Sequence, residues 1–496
     1  MKRAPFLAAV SFVPDLASTD PLYVQLARVL AESIRAGRLT IGARLPSERL
    51  YSRQLGVSRT TVTSAYQELK AVGLLRGYVG RGAIVIADDP DRVQAGAIPW
   101  PQLASRSAPV SAMRHAAPAA CISFGDGWLH SSLIPEAALA ACAARVATSA
   151  GAMSGAAPLL GLPVLQNALI DMLRANGVKA APGEVLATGG AQQGLNVVAR
   201  AMVSPGDTVL CENFTWYGAV RAFRAAGAHV VGLGMDHEGV DPDALEDALL
   251  RLRPKLVYLI PSFQCPTGRL LGLPRRRRIL EACGRARTPI VESHVYGDIH
   301  FGERVPSLKS LDTAGLVIHQ GSASKTVSPA LRLGWLVASR AALDLLAPAK
   351  ANLDLSTPSL TQGVLAEFMA GAGYVRHLRQ MRDALRARRD TLLAALAEHC
   401  PELRLGRPEG GLYLWAELPP ALPPLQLEAA AEAAGVAVRS GDAFMANGGS
   451  CRHIRLCFAA PAVGEISEGA ARLGKVLRSL VHARRVTTAE AACASV

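Results

Sequence analysis

Apolar positions along this chain follow three regimes. Between residues 58 and 73, Val62, Ala65, Tyr66, Leu69 and Val72 fall at i, i+3, i+4, i+7 and i+10, which is one face of a helix. Ser58 can cap that helix and Gly73 can stop it. Ser47 can cap a shorter helix before it, carrying Leu50 and ending at Gly56. Two strand-like stretches follow, joined by Tyr78-Val79-Gly80-Arg81-Gly82, whose glycines suit a tight hairpin. This pattern predicts a small helical module with a β-hairpin appended, over residues 14–87.

Periodicity then lapses. Residues 88–118 are rich in Ala, Pro and Ser and read as a linker. From 119 to 480 short apolar runs alternate with helical stretches: DTVLCEN (207–213), AHVVGLG (228–234), KLVYLIPS (255–262), TPIVES (288–293) and LVIHQGS (316–322). Such alternation predicts an α/β domain, a mostly parallel sheet flanked by helices. The last residues, 481–496, read as a disordered tail.

Charge sharpens the first module. Of the net +13, about +7 lies in residues 1–87, which hold twelve Lys/Arg and five Asp/Glu. A small basic module beside a large milder one points to an anionic polymer as partner. Nine scattered cysteines form no CxxC pair, and no His/Cys cluster has metal spacing, so reduced thiols and no metal are expected. The start imitates a signal peptide, but Pro5, Ser11 and Pro14 interrupt its apolar run and no clean cleavage site follows. With no stretch fit to span a membrane, a cytoplasmic protein without a membrane partner is expected.

The polar face of the second helix carries Arg59, Thr60, Thr61, Thr63, Ser64 and Gln67. Short hydrogen-bonding groups with one Arg suit a major groove, the helix N-terminus lying near phosphate. From Asp20-Pro21-Leu22-Tyr23 through LPSER and GVSRTTV to the GRG hairpin, the module resembles the GntR family of winged helix-turn-helix regulators. The resemblance implies double-stranded DNA as partner. It puts Arg49, Arg59, Thr60, Thr61 and Gly80 at DNA-contacting positions, with Ser47, Ser58 and Arg81 close behind.

The second chemistry is that of pyridoxal 5'-phosphate (PLP), which demands a lysine, a phosphate cradle, a pyridine partner and a ring stacker. GSASKTVSPALRLGW resembles the lysine block of fold-type I aminotransferases, with Lys325 as the Schiff-base lysine and Ser322, Ser324 and Arg332 at the phosphate. A P-loop reading of Lys325-Thr326 fails because Ser324 stands where glycine is needed. Gly190, Ala191 and Gln192 open a helix after a short strand, a ready anion site that matches the family's cradle. Trp216 falls at the stacking position, Tyr296 at a 3-oxygen partner, and Arg455 where the family grips a substrate carboxylate. A GntR-type head on this body is the hallmark of the MocR-type subfamily. That resemblance implies a homodimer, a small amino-compound effector, and a smaller C-terminal α+β subdomain.

Three departures bear on catalysis. Ser293 occupies the position of the aspartate that keeps the pyridine nitrogen protonated, and Cys265 that of an asparagine on the 3-oxygen. Ala156 and Gln166 replace a customary Tyr and Arg. A hydroxyl is a poor substitute for a carboxylate facing a ring nitrogen. His294, next along a strand, should point to the opposite face. A sensor with little transaminase activity is therefore expected; an active aminotransferase with a DNA-binding head, or a PLP-free dimerising scaffold, are the alternatives.

Overall fold

The computed structural model describes residues 10, 12–15, 18–78, 82–86, 121–149, 155–420 and 422–494. Gly80, Arg81 and the linker expected over 88–118 lie outside the described residues. The chain divides into two compact units, residues 1–107 and 108–496.

In the first unit, α1 (Leu22–Arg35), α2 (Glu48–Leu55) and α3 (Arg59–Ala71) precede a hairpin of β1 (Leu75–Tyr78) and β2 (Gly82–Val85). Leu26, Leu30 and Ile34 of α1 are buried with Val62, Ala65, Tyr66 and Leu69 of α3. Ser47 and Ser58 cap their helices, accepting the backbone N–H of Leu50 and Thr61 respectively. Gly56 closes α2 at φ 66°, a left-handed cap that glycine adopts cheaply. Val72, expected on the buried face, is instead 47% exposed, because α3 ends at Ala71 and the chain turns at Gly73.

The second unit is built on seven strands: β3 (Val185–Thr188), β4 (Thr208–Glu212), β5 (His229–Leu233), β6 (Leu256–Leu259), β7 (Ile290–Ser293), β8 (Val317–Ser322) and β9 (Gly334–Val337). Their order is β3-β9-β8-β7-β6-β4-β5. Only β9 runs antiparallel to its neighbours, so the sheet is mostly parallel as the alternation predicts. All residues of β3, β6, β7, β8 and β9 are buried, as expected where helices cover both faces. A smaller antiparallel sheet of four strands, including Tyr413–Glu417 and His453–Cys457, forms the C-terminal part. Functional side chains sit where β7 and β8 end, the usual ligand edge of a parallel sheet.

The tail expected to lack structure does not. Helix Glu465–Ala494 continues over residues 481–494. Its first half is anchored by buried Ile466, Ala470, Leu473 and Leu477, and the continuation extends the helix from that nucleus. Among the described residues no helix is long and apolar enough to cross a membrane. The eight cysteines whose side chains are described are free thiols.

Candidate cofactor site and DNA-binding face

On the first unit, α3 presents Arg59, Thr60 and Gln67 to solvent, with Thr61, Thr63 and Ser64 half-buried. Arg59 is 70% exposed and lies 3.7 Å from Glu48, a loose pair that costs little to break. Arg49, the second residue of α2, is also exposed. Ser47 and Ser58 are committed as caps, and Ser58 additionally shares a 2.8 Å hydrogen bond with the Thr61 hydroxyl. Exposed Arg59 and Thr60 are therefore left as available donors at the N-terminus of α3.

On the second unit, β8 ends at Ser322 and a single tight turn carries Ala323–Lys325. The Ser322 hydroxyl donates to the Leu333 carbonyl and accepts from the Ser324 N–H, which fixes the turn. Lys325 Nζ donates to the Gly127 carbonyl at 2.7 Å and lies 4.3 Å from the Trp128 ring centre. Its pKa is pushed down to about 8. Burial is the largest cause; the thiols of Cys457 and Cys265 oppose it, and Arg455 and Arg332 reinforce it. Gly127 and Trp128 lie nearly 200 residues before the lysine, and the sequence reading did not single them out.

The cradle is assembled from two glycines and an arginine. Gly190 has φ 100°, and helix Ala191–Met202 begins immediately after it. A Cβ at Gly190 would lie 3.0 Å from the Arg332 guanidinium, and one at Gly334 would lie 2.8 Å from the Gly190 backbone. Arg332 itself sits in the left-handed region at φ 48°, an unusual conformation for a residue with a side chain, and its Nη2 donates to the Gly189 carbonyl at 3.4 Å. The Gly189 N–H is already spent on Gln193 Oε1, which a partly buried chain of Gln193, Asp354 and Lys350 holds from behind. The side chain of Gln192 bridges the Gly218 carbonyl and the Trp216 indole, so it fixes the Trp216 ring rather than facing the cradle.

Arg455 is buried, with its guanidinium 4.5 Å from the Tyr413 ring centre and 4.9 Å from that of Phe444. It donates to the Gly125 carbonyl, while its Nε has no partner among the described residues. Tyr296 and Tyr413 share a 3.1 Å hydroxyl–hydroxyl contact. Cys265 is fully buried beside Tyr296 and Arg455, and burial pushes its thiol up. Cys265 thus lies among Lys325, Tyr296 and Arg455, and Tyr413, the member sequence reasoning missed, adjoins Tyr296 and Arg455.

Ser293 is buried next to the Tyr258 hydroxyl. His294 does not share its pocket: its ring packs on His319 with centroids 4.9 Å apart. Burial, followed by His319, pushes His294 down to about 4. Gln166 reaches only the Gly161 carbonyl, 3.3 Å away.

These residues fit a PLP group. A buried amine of lowered pKa, an N-terminal cradle that a Cβ would fill, and a buried guanidinium with an orphaned N–H provide for an aldehyde, a phosphate and a carboxylate. Residues 22–85 match the bacterial regulatory proteins of the gntR family, and residues 121–473 match aminotransferase class I and II. Over 86% of its length the chain is 32% identical to the probable rhizopine catabolism regulatory protein MocR of Rhizobium meliloti, covering 87% of that protein.

The chain belongs to the MocR-type subfamily of GntR regulators.

A second MocR-type relative, the transcriptional regulator TauR of Rhodobacter capsulatus, is 31% identical over 92% of this chain and 96% of its own length. Among solved structures, the MocR-type body resembles LysN, the alpha-aminoadipate aminotransferase of Thermus thermophilus, complexed with N-(5'-phosphopyridoxyl)-L-leucine. Its TM-score is 0.71 at 35% identity, covering 78% of this chain and all of that one.

Proposed function

We propose that this MocR-type protein is a transcription regulator that holds PLP on Lys325 and reads an amino-compound effector without efficiently transaminating it. The observation that carries the reading is the pairing of an intact Lys325–Arg455 cluster with a hydroxyl, Ser293, in the pyridine pocket. Bound PLP would supply an aldehyde that captures primary amines and a ring that withdraws electrons from the captured carbon. Lys325 offers the amine, Ala191 and Gln192 offer backbone N–H groups to the phosphate, and Arg332 flanks them. Trp216, fixed by Gln192, offers a ring face. Arg455 accepts the carboxylate of an amino acid in a bidentate grip.

Ser293 supplies no negative charge to keep a ring nitrogen protonated, and Cys265 is a weak donor, so binding outlasts turnover. The proposed regulator is a homodimer in which the effector shifts a two-state equilibrium that repositions the DNA-binding heads. The Arg59 face of α3 would read the major groove and the hairpin around Gly80 and Arg81 the minor groove.

The test uses the full-length chain. PLP should generate a visible absorption band that Lys325→Ala lacks, and Arg59→Ala should bind the promoter of its own or the neighbouring gene at least tenfold more weakly. Amino acids that alter the band should alter the protein–DNA complex. Robust transaminase turnover abolished by Lys325→Ala would instead establish an enzyme, and no band after PLP addition would establish a scaffold.

A further inference from the structure

Beneath the floor of the cofactor site lies a cluster that none of the chemistry above uses. Glu292 is the third residue of β7, His294 follows that strand, and His319 is the third residue of β8. One ligand atom from each lies within 4.8 Å of the other two. Glu292 and His319 are buried, and His319 Nδ1 stands 2.9 Å from Glu292 Oε2. Nδ1 of His294 is buried with no partner among the described residues. Sequence spacing could not reveal this group, because His319 lies 27 residues from Glu292 and meets it only through strand pairing.

The charge balance is the unusual feature. The Glu292 carboxylate is fully buried and accepts the backbone N–H of Leu308 at 2.7 Å and of Lys309 at 3.0 Å. No Lys or Arg side chain pairs with it among the described residues. The Lys309 ammonium pairs with Asp312 instead. Arg276, the nearby buried guanidinium, is spent on the carbonyls of Leu271, Pro261 and Pro306 and on the Ser262 hydroxyl. A buried carboxylate whose only side-chain partner is an imidazole lacks a full positive complement.

We propose that Glu292, His294 and His319 bind a divalent transition metal, zinc being the ion whose ligand chemistry they match. Two imidazoles and one carboxylate form a set typical of zinc with one position left open. Tetrahedral bonds of about 2.0–2.2 Å place ligand atoms roughly 3.3–3.6 Å apart, so modest ring rotations close the present spacing. His319 would offer Nδ1 to the ion with its ring proton carried on Nε2, the tautomer a neutral imidazole ligand requires. His294 and His319 also line a cavity of about 10 Å³, with Asp298, Arg304, Ser322 and Thr326 among its other walls, which is about the room one water needs. The ion would fasten the end of β7, which bears Ser293, to β8, which leads into Lys325.

The test is metal uptake by untagged full-length protein stripped with a chelator and titrated with Zn²⁺ by calorimetry. A parallel titration with Co²⁺ reads the visible bands of tetrahedral coordination. One equivalent per chain is expected, with tetrahedral Co²⁺ bands, and with affinity falling at least 100-fold in both His294→Asn and His319→Asn. Far-UV circular dichroism of each variant reports folding, and the wild-type titration alone decides if either variant fails to fold. Less than a tenth of an equivalent bound by wild-type protein at micromolar free Zn²⁺ would overturn the proposal, leaving a bare histidine–carboxylate pair. Undiminished binding in folded variants would overturn it equally, by placing the ion elsewhere.

Discussion

Lys325 should behave as an amine primed for carbonyl chemistry, and the effect can be sized. Burial lowers its pKa from 10.5 to about 8. At pH 7 the free-base fraction is then roughly 9%, against roughly 0.03% for an ordinary lysine, a ratio of about 300. Both groups lose their protons as pH rises, so the advantage shrinks to about fourfold by pH 10. Competitive labelling of the PLP-free chain with trace acetic anhydride, using Nα-acetyl-lysine as internal standard, measures this. Reagent decay and steric access multiply all pH points alike, so only the shape matters. The Lys325 peptide-to-standard ratio should fall about 70-fold between pH 7 and pH 10. A ratio flat within twofold over that range would refute the reasoning, because it would give Lys325 an ordinary ammonium despite its burial. The sign also sets a stability trend. The unfolded lysine holds its proton up to 10.5 and the folded one only to about 8, so this group adds stability as pH rises through that window.

Further expectations follow the same geometry. Ser293→Asp restores a carboxylate to the pyridine pocket and should raise the transamination half-reaction at least tenfold, read as loss of the PLP band on adding amino acid. Gly190→Ala forces a Cβ to 3.0 Å from Arg332 at φ 100°, a strain of about 1–3 kcal/mol that should appear as an equal loss of large-domain stability in urea unfolding. Arg276→Met strips four hydrogen bonds from buried acceptors and should cost about 3–5 kcal/mol of large-domain stability by urea unfolding. Ser58→Ala removes the 3.0 Å cap on Thr61 N–H and should cost the head about 1 kcal/mol, seen in its own thermal transition.

What the sequence could disclose divides by the range of the interaction. The strands from Thr208–Glu212 to Val317–Ser322 were visible as apolar runs because a parallel sheet buried on both faces writes its pattern locally. The caps Ser47 and Ser58 were visible for the same reason: a cap and its partner are three residues apart. The stripe Leu26, Leu30 and Ile34 of α1 is equally legible at i, i+4 and i+8. Non-local contacts were opaque. Nothing in the run GDGW marks Gly127 as the acceptor for Lys325, and nothing near Tyr413 marks its contact with Tyr296.

The same division explains the two halves of the site. Lys325, Arg332 and Arg455 can be proposed from the sequence because each sits in a contiguous block. Their surroundings were set by partners that folding brings together, such as the Gln193–Asp354–Lys350 chain behind Gly189. The substitution of Ser293 was visible as a letter, but its meaning depends on depth: on the surface a hydroxyl would be replaceable by water. Here it is buried against the Tyr258 hydroxyl, with His294 turned away toward His319. No neighbouring carboxylate on the strand can swing in, since the adjacent Glu292 is held by Leu308, Lys309 and His319. In the proposed cofactor site, these contacts leave Ser293 without a carboxylate beside it. That turns a one-residue departure into a physical argument for sensing over turnover.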